Sequence, residues 1–88
     1  MASVKNLKKD INYTLGDIIG ECNVWELDNP TADTSKSQAI VDEAISTFDE
    51  LIAKVHAKDV ENKRVHFKSI NAELETRANA LVDKVNAL

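Results

Sequence analysis

Eighty-eight residues with two glycines, one proline and one cysteine make one small domain, 43% hydrophobic and 30% charged, with a net charge of −4. A chain of this length buries only roughly 60 to 65% of its unfolded surface, which argues against a large enzyme cleft. Scarce Gly and Pro exclude the many-turned all-β folds, and a lone cysteine excludes a disulfide framework or a thiolate zinc site.

Along residues 4–28 the apolar side chains fall at Val4, Leu7, Ile11, Leu15, Ile18, Cys22 and Trp25, always three or four apart, which is one face of a helix. Ser3 stands where its N-cap belongs. The polar run from Asp28 to Ser35 holds Pro30, which disfavours helix in the residue before it. Residues 29–37 are therefore read as the linker to a second helix.

From Ser35 or Ser37 the helical period returns in Val41, Ala44, Ile45, Phe48, Leu51, Ile52 and Val55. A third stripe reads Phe67, Ile70, Leu74, Ala78, Leu81, Val85 and Leu88. No glycine or proline separates the two, yet they are out of phase. Continuing from Val55 at about 3.6 residues per turn leads to His66, Ser69 and Glu73 instead of apolar residues. A break near residues 57–59, with Asp59 as N-cap of the third helix, restores the phase. Helices of about 25, 22 and 28 residues with short connections predict an all-α, up-down-up three-helix bundle over residues 1–88. The alternative is a long helical hairpin whose core is completed by dimerisation.

Catalytic chemistry has no support in the sequence. His56 and His66 show no metal-ligand spacing with each other or with a glutamate, so no metal is expected. The carboxylate pairs Asp42 with Glu43 and Asp49 with Glu50 are adjacent on a helix, where neighbours point about 100° apart. Cys22 sits in the core stripe with no histidine beside it, and no Gly-rich phosphate loop or nucleophile elbow occurs. No cofactor is expected. No stretch approaches the length of a membrane span and the first residues lack an apolar leader run, so a soluble cytoplasmic chain is expected.

Two surface features remain. Residues 1–10 and 54–68 carry eight basic against three acidic side chains, and the rest of the chain three against twelve. In the predicted bundle Lys5, Lys8, Lys9, Lys58, Lys63 and Arg64 converge at one end, a basic pole suited to an anion or, less expected, a nucleic acid. The first helix also carries a second sector of Tyr13, Gly16, Gly20, Val24 and Leu27, roughly 150° from its core stripe. One bundle seam cannot cover both sectors. The expected function is therefore protein–protein contact without catalysis, as a homodimer through the first helix, unless the linker folds back over Val24 and Leu27.

Overall fold

The computed structural model describes residues 4–58 and 60–88. Its elements are α1 (Val4–Asp28), α2 (Ser35–Val55) and α3 (Lys63–Asn86), with no strand among the described residues. All three pairs of helices pack together in a rod of 51 × 18 × 17 Å, so the single chain closes its own core. That closure replaces the dimer-completed hairpin.

Side-chain pairs across α2 and α3 give the topology directly. Lys84 Nζ lies 2.6 Å from Glu43 Oε2, Arg77 reaches Glu50, and Lys54 reaches Glu73. Each advance of seven and then four residues along α2 matches an equal retreat along α3, so the two helices are antiparallel. At the α1–α2 joint, Gln38 Nε2 donates to Glu26 Oε1 at 2.8 Å, and the hydroxyl of Ser37 lies 2.6 Å from the same oxygen. The short connection turns α2 back along α1, and α1 and α3 consequently run parallel.

Leu7, Ile11 and Leu15 from α1, Leu51 from α2, and Ile70 and Leu81 from α3 are the largest fully buried apolar residues. Burying each contributes about 1.5 to 3 kcal/mol. The α1 and α3 stripes lie where the periodicity puts them, except that Val4 is exposed and Trp25, Phe67, Val85 and Leu88 are half-buried.

On α2 the core line is rotated by about 60° from the apolar stripe at 100° per residue. It runs through Ser37, Ile40, Ala44, Thr47, Leu51 and Val55, while Val41, Phe48 and Ile52 are half-buried and Ile45 is exposed. The two flanks of α2 meet chemically different seams. Its apolar flank is shared with α1, and its charged flank of Glu43, Glu50 and Lys54 goes to α3. Thr47 tolerates burial because its Oγ1 donates to the Glu43 carbonyl at 2.8 Å. Among the described residues no buried side-chain nitrogen or oxygen lacks a partner.

The connections differ from expectation in detail. Helix α2 begins at Ser35, so the first connection is 29–34. There Asp33 Oδ1 accepts from the Ser35 amide at 2.9 Å, which together with the Ser35 hydroxyl holds the Asp33 carboxyl below its ordinary pKa. The second break falls where the phase demands it, but the cap of α3 is Asn62, whose side chain accepts from the Val65 amide at 3.2 Å. Asp and Asn both cap well. The later cap shortens α3 to 24 residues and leaves a longer turn in which to reverse the chain. Asp59 itself, like Ser3, lies outside the described residues. His66 Nε2 is 2.6 Å from the Lys54 carbonyl, which also accepts the Ala57 amide at 3.2 Å, so the first turns of α3 are fastened to the end of α2.

Candidate interface on the outer face of helix α1

The second sector of α1 is solvent-facing along its length. Tyr13 is 63% exposed, Val24 52% and Leu27 79%; Gly16 is exposed and Gly20 half-buried. The first connection does not cover it. Residues Ala32 and Asp33 instead line a small cavity with Trp25, on the other side of α1, together with Leu88.

The glycines are unexplained by the fold of one chain. Neither has a positive φ, and a Cβ added at Gly16 or Gly20 would meet nothing within 4 Å. A mid-helix glycine is about 1 kcal/mol less favourable than alanine. Two of them one turn apart, on an open helix face, leave the backbone accessible to a second backbone.

This face continues onto α2. Beside Gly16 lies a depression of 190 Å³ lined by Leu15, Ile19, Ile45, Phe48 and Asn12. Ile45, assigned to the core by periodicity, is 48% exposed and forms the rim of this depression. The available sequence signal was its place at the edge of the α2 stripe, which shifts outward once the core line rotates.

The six basic residues are brought to one end, because the start of α1, the connection after α2 and the start of α3 share it. Lys5, Lys9, Lys58, Lys63 and Arg64 are exposed and Lys8 is half-buried. None of the six makes an ion pair among the described residues. Lys54, counted with them by charge, is instead held by Glu73, so the pole is less basic than the sequence tally.

Elsewhere the polar groups are structural. Lys54, with help from Arg77 and against partial burial, holds the Glu73 carboxyl below its ordinary range. The hydrogen bond to Glu50, with that to Glu73, raises the Arg77 guanidinium. Burial pushes the Cys22 thiol up, and the nearby charges of Glu26 and Glu21 push it further. A thiol so placed is a poor nucleophile at neutral pH. Among the described residues no group of three or more His, Cys, Asp or Glu side chains is arranged to hold a metal ion, and no helix is long and apolar enough to cross a membrane. No protein-family model matches the sequence, and no characterised protein or solved structure is similar enough to it to lend a function.

Proposed function

We propose that this chain is a small cytoplasmic, non-enzymatic interaction module that self-associates through the outer face of α1. The observation that carries the reading is the pair Gly16 and Gly20, which intrachain packing does not require. Around them Tyr13, Val24, Leu27 and the neighbouring Ile45 supply exposed apolar area. A twofold pairing of α1 with its mate buries all of these at once, and isologous dimers are the commonest oligomers. Light scattering at micromolar concentration should give the mass of two chains. Gly20→Glu should give one folded chain, checked by circular dichroism. A wild-type mass of one chain, or a dimer indifferent to Gly20→Glu, overturns the reading.

A second reading is favoured by the unpaired basic pole. Two helix N-termini, those of α1 and α3, share that end and neither has an acidic residue in its first turn. Their dipoles add to the charge of Lys5, Lys8, Lys9, Lys58, Lys63 and Arg64. Binding to heparin should then weaken steeply with salt and vanish on replacing Lys8, Lys63 and Arg64 together. Absence of retention at low salt removes this reading.

A further inference from the structure

The seam between α1 and α3 differs chemically from the seam between α2 and α3. Across α2 and α3 the acids Glu43, Glu50 and Glu73 are each answered by a cation. Between the parallel helices α1 and α3 lies an open groove of 430 Å³, and no ion pair crosses it among the described residues. Its floor is apolar: Ile18 and Ala78 are buried, Val85 is half-buried and Val82 is 41% exposed. Its α1 rim is acidic. Asp17 and Glu21 line it, and Asp10 and Asp28 continue the same flank at helical spacing. Across from them α3 offers Asn79 and Asn86, and no cation among the described residues lines the groove.

We propose that this groove is the docking site for a cationic amphipathic helix of another protein. An uncovered apolar floor requires an apolar stripe on the occupant, spaced three and four residues apart. The uncompensated carboxylates along the rim require Lys or Arg beside that stripe, and they repel nucleic acid and anionic lipid. Because α1 and α3 are parallel, a helix lying antiparallel to both aligns its dipole favourably with each and completes a four-helix bundle. The site is on the α3 side of α1, where its rim of Asp17 and Glu21 borders the glycine face, and Gly20→Glu tells the two apart.

The test uses three fluorescein-labelled synthetic peptides of about 18 residues, five helical turns. One has a leucine stripe flanked by lysines, one has the lysines replaced by glutamates, and one scrambles the first. Binding is read by anisotropy and by amide shifts of the ¹⁵N-labelled protein. The lysine peptide should bind, shifting residues 14–21 and 78–86, and the other two should not. Asp17→Lys with Glu21→Lys should weaken binding about tenfold or more. Asp42→Lys with Asp49→Lys changes net charge equally on exposed α2 positions and should leave binding intact. Gly20→Glu should also bind normally, which separates this site from the self-association face. Equal binding of the scrambled peptide, equal loss in the α2 control, shifts confined to another surface, or no binding of the lysine peptide would each overturn the proposal.

Discussion

The α2–α3 seam and the outer face of α1 are two solutions for a helix surface in the same small bundle. The seam is sealed: Leu51, Ile70 and Leu81 lie beneath it, and a ladder of three cross-helix ion pairs closes it above. The α1 face also carries apolar side chains but has nothing over them, and its two glycines leave room that its own chain does not use. The difference teaches that apolar periodicity alone does not mark what a fold consumes. Residues spent on the fold are covered and paired, whereas those on the outer α1 face are apolar, open and, at the two glycines, locally unfavourable.

The sharpest way to break this comparison is to truncate one leucine from each region. Leu51→Ala should cost about 2 to 5 kcal/mol of folding stability, since it leaves a cavity under the ladder. Leu27→Ala should change folding by no more than about 0.5 kcal/mol. Denaturant titration of both variants, at a concentration where the protein is monomeric, reads the difference; equal losses would show that Leu27 belongs to the fold.

The glycines give the next largest effect, and its sign is informative. With open space around each Cβ position, Gly16→Ala and Gly20→Ala should each stabilise the monomer by about 0.5 to 1 kcal/mol. The same substitutions should lower the dimer fraction measured by sedimentation. A loss of monomer stability would mean that the chain itself requires these glycines.

Arg77 tests the sealed side. It bridges Glu50 and Glu73 from a part-exposed position, so Arg77→Met should cost about 1 kcal/mol or less. The cost should shrink as salt rises. A salt-independent loss would assign the role of Arg77 to its packed stem instead of its charge.

The smallest effect is a pH dependence confined to the ladder. The Glu73 carboxyl is held below its ordinary pKa in the folded state, so its stabilisation is present above the unfolded value of about 4.3. It is lost as pH falls through the lower folded value. The difference in Tm between the protein and Glu73→Gln should therefore be greatest above about pH 5 and disappear under acid. Asp33, shifted in the same direction, is common to both proteins and cancels. A Tm difference unchanged between neutral and acid pH would contradict the ladder.

Three helices, their phase break and the α1 and α3 core lines were legible in the sequence because each is a local property. Spacing along one helix fixes which side chains share a face, and a phase slip of one residue between Val55 and Phe67 demands a turn whatever lies opposite. The charge tally and the glycine pair were legible for the same reason. The tertiary structure decided what depends on neighbours. It rotated the core line of α2 toward the charged flank that pairs with α3, burying Thr47 and leaving Ile45 outside. It set the cap of α3 at Asn62. It joined Lys54 to Glu73, residues whose local sequence gives no sign of meeting, because only the antiparallel register of α2 and α3 sets their separation. Periodicity determines which face a helix can bury; the arrangement of the other helices determines which part of that face is used, and so which part stays exposed.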